Sequence, residues 1–198
     1  MKWWIYNGLF AVGYTLLLPK FAVRMWRRGG YRRGFLQRFG VYGGLVERLA
    51  ARRRIWIHAV SVGEIQVAFG FMAAMRKAIP GVAFVITTTT STAHQLAEKQ
   101  VAGDDVLLYF PADFPWIIRR VLAQVKPLAL ILTESELWPN LIRMLGGRGV
   151  PVFMINGRIS ETSFRGYRWV RSFFADVLKG FTLLLVQGAG DRDRLVAL

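Results

Sequence analysis

The run Ile55-Trp-Ile-His-Ala-Val-Ser-Val-Gly-Glu64 joins a short apolar stretch of strand character to a carboxylate. Leu128-Ala-Leu-Ile-Leu-Thr-Glu134-Ser-Glu136-Leu-Trp-Pro-Asn140 repeats the pattern further along the chain. Open parallel sheets place their ligand crevice just beyond the carboxyl ends of the strands, so Glu64, Glu134 and Glu136 are the first candidates for chemistry. An acid in this position also suits the first turn of the following helix, where it caps the chain and meets the positive end of the helix dipole.

Working outward from these stretches, short apolar runs alternate with longer amphipathic ones. Strands are expected at 55–60, 83–88, 106–110, 128–132, 150–156 and 182–187, and helices at 64–78, 92–100, 115–125, 139–145 and 164–179. Pro80-Gly81, Lys126-Pro127 and Gly146-Gly147 punctuate them. Strands alternating with helices at this spacing imply an α/β fold, a doubly wound parallel sheet covered on both faces. The tail from Gly188 to Leu198 reads as a loop entering a helix that is cut short. A Gly-x-Gly-x-x-Gly fingerprint is missing after the first strand, which disfavours nicotinamide binding.

The chain has 198 residues, room for one well-buried domain and a short appendage. With no Cys, it has no disulfides, thiolate nucleophiles or Cys-based metal sites, and His58 and His94 are its only imidazoles. No metal site is therefore expected. Charge is uneven: residues 1–54 carry twelve Lys and Arg against the single acid Glu47, +11 of the net +15.

That basic segment begins with Trp3 to Pro19, seventeen residues without a formal charge. As a helix they would reach ~25 Å, slightly short of a hydrocarbon core, so they either span a thinned bilayer or lie partly in its interface. Lys20, Arg24, Arg27, Arg28, Arg32, Arg33 and Arg38 follow, and the positive-inside rule puts the body of the protein in the cytoplasm. Three readings are ordered here: membrane anchor, then signal peptide, then core helix. The expected organisation is a membrane-anchor helix over 1–24, a basic amphipathic membrane-proximal segment over 25–54, and a Rossmann-like domain over 55–198.

Several further residues suit a binding crevice. Gly63 lets the backbone pass close to a substrate. The run Thr87 to Thr90, with Thr88 and Thr89 at its centre, offers hydroxyls and free N–H groups at a helix start, a cradle for an anion or a sugar. Arg158, after Asn156-Gly157, is placed to clamp a carboxylate or phosphate. Glu134 and Glu136 lie two apart, so one faces the crevice while the other points away; proximity to Glu64 would raise one pKa toward neutrality. His58 lies within a strand, where a hydrogen-bonded core histidine is the ordinary outcome. Arg32, Arg33, Arg38 and Arg52-Arg53-Arg54 invite either nucleic acid or anionic lipid, two polyanions that charge alone does not separate.

His58-Ala-Val-Ser-Val-Gly-Glu64, Thr87-Thr-Thr-Thr90, Tyr109-Phe-Pro-Ala-Asp113, Glu134-Ser-Glu-Leu-Trp-Pro-Asn140 and Asn156-Gly-Arg-Ile-Ser160 together resemble, in order and spacing, the amino-terminal half of the Kdo transferases. These are bacterial glycosyltransferases that move 3-deoxy-D-manno-octulosonic acid (Kdo) from its CMP-activated form onto a lipid A precursor. The resemblance implies the acceptor-binding, Rossmann-like half of a GT-B architecture, with Glu64 as general base and Glu134 and Glu136 beside it. Ser61, Gly63, Thr88, Thr89, Asn156 and Arg158 would then bind substrate. It further implies transfer in lipopolysaccharide core biosynthesis at the cytoplasmic face of the inner membrane, with no cofactor or metal. Lipid A precursor, CMP-Kdo held by a missing carboxy-terminal domain, and anionic inner-membrane lipids would be the partners, and nucleic acid would not. The chain alone would be inactive. The competing reading is a non-catalytic, membrane-attached module that binds anionic lipid.

Overall fold

The computed structural model describes residues 2–28 and 34–198, with the side chains at 21, 22 and 24–28 left out. Helix α1 (Lys2–Arg28) leads through a 3-10 turn (Phe35–Phe39) to α2 (Leu45–Ala51). The alternation then runs β1 (Ile55–Ala59), α3 (Val62–Ala78), β2 (Phe84–Thr88), α4 (Ser91–Glu98), β3 (Val106–Tyr109), α5 (Pro115–Val125), β4 (Ala129–Thr133) and α6 (Pro139–Gly146). It closes with β5 (Val152–Gly157), α7 (Glu161–Trp169), α8 (Arg171–Leu178), β6 (Leu183–Val186) and α9 (Ala189–Val196). The one helix expected over 164–179 is two, because the chain leaves helical geometry at Val170 (φ −121°, ψ 33°).

All the strands of the sheet are parallel, in the order β3-β2-β1-β4-β5-β6. Because alternate side chains point to opposite faces, each strand feeds two cores. Trp56, Val85, Leu108, Leu130 and Leu132 pack under α5 and α6, while Ile57, Phe84, Ile86 and Ile131 pack under α3 and α4. The strand order reverses direction between β1 and β4, whose residues 55–58 and 129–132 are in register. A crevice at the carboxyl ends of these two strands is the topological switch point of a doubly wound sheet.

Helix α1 differs from the anchor expected over residues 1–24. Among the described residues no helix is long and apolar enough to cross a membrane. Lys20 follows Pro19 within α1 and ends the uncharged run, and one face of the helix is already used against protein. Trp3 meets Phe173 edge-on at 5.3 Å, Phe10 meets Phe114 at 5.0 Å, and Tyr14 meets Phe114 at 5.3 Å between ring centroids. The reading ranked last, a helix packed on the core, therefore describes this inner face. The outer face keeps Trp4, Leu9, Val12 and Leu16 exposed.

The basic segment is also used locally. Arg54 is buried and donates to the carbonyls of Asp104 and Arg52, at 2.7 and 2.8 Å. Arg52 pairs with Asp104 and donates to the Gly81 carbonyl, and Arg53 donates to Lys126 and Pro127. This triplet precedes β1 at the amino edge of the sheet, away from the crevice, where its guanidinium groups fasten loops. Arg38, grouped with it in the sequence, is likewise buried. The side chains of Arg24, Arg27 and Arg28, and the whole of Arg32 and Arg33, lie outside the described residues.

Candidate active site at the switch point

Glu64 is fixed by the turn that ends β1. Ser61 has extended dihedrals and caps α3, its Oγ accepting from the Glu64 N–H at 3.2 Å. In return the Ser61 N–H donates to Glu64 Oε1 at 3.1 Å, completing a capping box, and the Val60 N–H donates to Oε2 at 2.9 Å. Thr133, the last residue of β4, places its hydroxyl 2.9 Å from Oε2 and 2.8 Å from the His58 carbonyl, and its single proton serves one of them at a time. A carboxylate offers about four lone-pair positions. Oε2 faces two donor groups and Oε1 faces one, which leaves a position on Oε1 for a substrate hydroxyl. Glu64 is 5% exposed, buried but not sealed.

The β4 exit brings two more carboxylates to the same place. Burial and then the Glu64 charge push the Glu136 pKa up to about 7. The Trp138 indole N–H pulls it partly back without closing a hydrogen bond of normal geometry, and Glu134 raises it again. Glu134 is raised by burial and by Glu64, and lowered by Arg158. Both acids are shifted upward, and the more perturbed is Glu136. Glu134 holds a left-handed backbone (φ 55°), as does Asn156 at the end of β5 (φ 57°), a conformation uncommon outside glycine. Arg158 is exposed beyond it.

The remaining predicted residues divide. Gly63 opens to solvent, and a Cβ there would meet only Ser61 Oγ at 4.0 Å. Thr88 is fully buried with its hydroxyl on His94 Nδ1 at 2.9 Å, so the hydroxyl left without a partner in this run is that of Thr89. Thr90 caps α4 and donates to the Val60 carbonyl at 3.0 Å, tying the threonine run to the Glu64 turn. His58 is a core residue: Nδ1 lies 3.0 Å from the Thr87 carbonyl, the ring stacks on Phe110 at 3.7 Å, and burial depresses its pKa to about 3.

Sequence reasoning missed Thr133 and the clamp beneath the site. Buried Asp113 accepts from Tyr6 Oη at 2.8 Å and from the Asn140 and Leu141 N–H groups at 2.9 Å, capping α6 from outside and pinning α1. Asn140 Nδ2 donates to the Asp113 carbonyl and to Asn7 Oδ1, at 2.5 and 2.8 Å. Burial outweighs these donors and raises the Asp113 pKa to about 7. The motifs ending in Asp113 and Asn140 were both visible; that they bind each other was not.

No group of three or more His, Cys, Asp or Glu among the described residues is arranged to hold a metal ion.

Comparison with known proteins gives one consistent result. Residues 33–198 match the family model described as 3-deoxy-D-manno-octulosonic-acid transferase (kdotransferase). A 3-deoxy-D-manno-octulosonic acid transferase of Haemophilus influenzae is 30% identical over 183 residues, covering 92% of this chain and 42% of that protein. The Bordetella pertussis protein of the same name is 31% identical over 199 residues, covering 96% and 46%. That of Rickettsia felis is 34% identical over 149 residues, covering 75% and 32%. The chain spans less than half the length of each of these relatives.

Proposed function

The chain belongs to the 3-deoxy-D-manno-octulosonic-acid transferase family, and on that premise we propose that it is the acceptor-binding half of a glycosyltransferase moving Kdo from CMP-Kdo onto a lipid A precursor. The observation that carries the reading is the cluster of Glu64 with Glu134 and Glu136 across the β1/β4 switch point. In this reading an acceptor hydroxyl rests on Glu64 Oε1. Its oxygen attacks the anomeric carbon of Kdo from the face opposite the leaving group. The new carbon–oxygen bond forms as the bond to the CMP phosphate oxygen breaks, CMP leaves with the electron pair, and the proton passes to Glu64. Configuration inverts, and the chemistry calls on no cofactor.

Each neighbour has a role. The backbone donors hold the Glu64 carboxylate in place, so it does not have to reorganise as the proton arrives. Glu136, with its pKa near 7, takes up a proton more readily and limits repulsion within the cluster. Arg158, Asn156, Ser61, Gly63 and Thr89 line the approach, with Arg158 suited to the carboxylate of Kdo or a phosphate of the acceptor. CMP would be held by a second domain of the native protein, in keeping with the greater length of the relatives. The exposed outer face of α1 would rest in the cytoplasmic interface of the inner membrane without crossing it.

Equilibrium binding to the 198-residue chain tests the assignment. Saturable binding of lipid A precursor, with no Kdo transfer on adding CMP-Kdo, is expected. Binding of CMP-Kdo without binding of the lipid would sink the acceptor assignment, and transfer by this chain alone would overturn the need for a second domain.

A further inference from the structure

Between the flank of α1 and the loop after β3 lies a cavity of about 470 Å³, within the size range of small-molecule sites. Its walls are almost wholly apolar: Leu9, Gly13 and Leu17 on one side, Phe110, Ala112 and Trp138 on the other. Its polar groups are few, and they include the Tyr14 hydroxyl and the unpartnered Trp138 indole N–H as well as a corner beside the end of β2. There Thr89 brings a buried hydroxyl with no partner, and the buried Arg38 guanidinium donates to the Thr89 carbonyl at 2.7 Å. Trp138 belongs to the loop carrying Glu136, and Thr89 is next to Thr90, which bonds to the Glu64 turn. The cavity therefore shares the loop after β4 and the threonine run with the carboxylate crevice, while Leu9 and Leu17 continue it onto the exposed apolar face of α1.

We infer that this groove holds one acyl chain of the acceptor while the acceptor's sugar sits over Glu64. The inference rests on the proposed acceptor role and adds a place for the lipid. A ligand spanning crevice and groove must be polar at one end and hydrocarbon at the other, and the Thr89 hydroxyl beside Arg38 suits an ester or phosphate oxygen where the two meet. A groove with apolar walls and few polar groups selects such an amphiphile over a wholly polar sugar. A bulk phospholipid shares the hydrocarbon but not the sugar, so the groove is assigned to the acceptor's own chain.

Gly13 makes the test clean. A Cβ added there meets nothing within 4 Å, and Leu favours a helix more than Gly, so Gly13→Leu fills the groove without straining α1. Gly8 is equally open and does not line the cavity, so Gly8→Leu is the control. The 198-residue chain is loaded with the fluorescent fatty acid cis-parinaric acid. It is then titrated with a diacylated glucosamine 1-phosphate, with glucosamine 1-phosphate, and with phosphatidylglycerol of the same chains.

Displacement by the diacylated sugar roughly ten-fold tighter than by phosphatidylglycerol, none by the bare sugar, and a roughly ten-fold loss in Gly13→Leu but not Gly8→Leu are expected, with Tm not lowered in either variant. If Gly13→Leu binds the diacylated sugar as tightly as the parent chain, the groove assignment falls and the acceptor role stands. If parinaric acid binding is lost in Gly13→Leu but the diacylated sugar never displaces it, the groove's occupant is not the acceptor's chain and the inference falls; the acceptor role falls as well only if lipid A precursor also fails to bind the chain directly. Equal displacement by phosphatidylglycerol makes the occupant a bilayer lipid and overturns the inference.

Discussion

The loops that leave β1 and β4 place carboxylates at equivalent points on either side of one crevice and treat them in opposite ways. Glu64 accepts two backbone N–H bonds and stands within reach of the Thr133 hydroxyl. Glu136, half-buried, has only the imperfectly aligned indole N–H of Trp138, and its pKa climbs to about 7. What distinguishes the two carboxylates is the set of donors each loop supplies, not its position after a strand. In the β1 exit a Ser-x-x-Glu turn supplies them; in the β4 exit the backbone goes instead into the left-handed bend at Glu134.

The largest effect expected is on the held anion. Glu64→Gln keeps the size of the side chain but cannot take the acceptor's proton, so Kdo transfer by the native protein should fall by ~10²-fold or more, with acceptor binding largely retained. Glu64→Asp keeps the charge but shortens its reach, and should recover little. The Gln amide also turns an N–H group toward either the Val60 or the Ser61 donor, costing about 1–3 kcal/mol in denaturant unfolding. Near-normal turnover in Glu64→Gln would erase the functional difference between the two loops.

The contrast sharpens with pH. The Glu136 pKa is raised from 4.5 to about 7, so the folded state resists its ionisation. Its favourable contribution is complete below the unfolded pKa and is lost as pH rises toward 7. Glu136→Gln, neutral throughout, should match the parent chain at pH 4 and exceed its stability at pH 8 by about 3 kcal/mol. Because Glu64 is the second cause of the shift, Glu64→Gln should move the Glu136 titration downward, as followed by carboxyl NMR. A Glu136 midpoint indifferent to Glu64 would separate the two carboxylates and dissolve the shared site.

Thr133 joins the loops, and its effect should be smaller. Thr133→Val removes the hydroxyl facing Glu64 and the His58 carbonyl, a loss of about 1–2 kcal/mol in unfolding. Turnover should drop by less than about ten-fold, since the backbone donors to Glu64 remain. A loss as large as that of Glu64→Gln would make the threonine, not the capping box, the determinant of the anion.

The strands, their parallel arrangement and the position of Glu64 after the first of them were legible because a short apolar run followed by a polar exit has few other uses in a chain of this kind, whereas the order of the strands in the sheet was not. Thr133 was illegible, since a threonine ending a strand carries no mark of the residue across the sheet that it bonds. Asp113 and Tyr6 lie far apart in sequence, and nothing local in either announces their contact. The inner contacts of helix α1 were illegible for a different reason. It is apolar on both faces, Trp3 and Phe10 inward and Trp4 and Leu9 outward, and hydropathy measures how apolar a segment is without saying what covers it. The loop carbonyls bound by the arginines before β1 were hidden similarly, because charge counts do not distinguish a headgroup contact from a loop carbonyl.

The smallest effect should come from Glu134, where charge and backbone can be separated. Its φ of 55° costs a non-glycine residue roughly 1–2 kcal/mol, of which glycine's greater freedom in the unfolded chain cancels up to about 1 kcal/mol. Glu134→Gly and Glu134→Ala both remove the carboxylate, but only the glycine relieves the bend. The glycine variant should therefore be the more stable of the two by about 0.5–1 kcal/mol in denaturant unfolding. If Glu134 contributes to transfer through its charge beside Glu64 and Arg158, the two variants will lose the same modest amount of turnover despite their different stabilities. If the alanine variant keeps parental turnover while the glycine variant loses it, the rigid bend is what matters, and Glu134 serves the site as the hinge that presents Glu136.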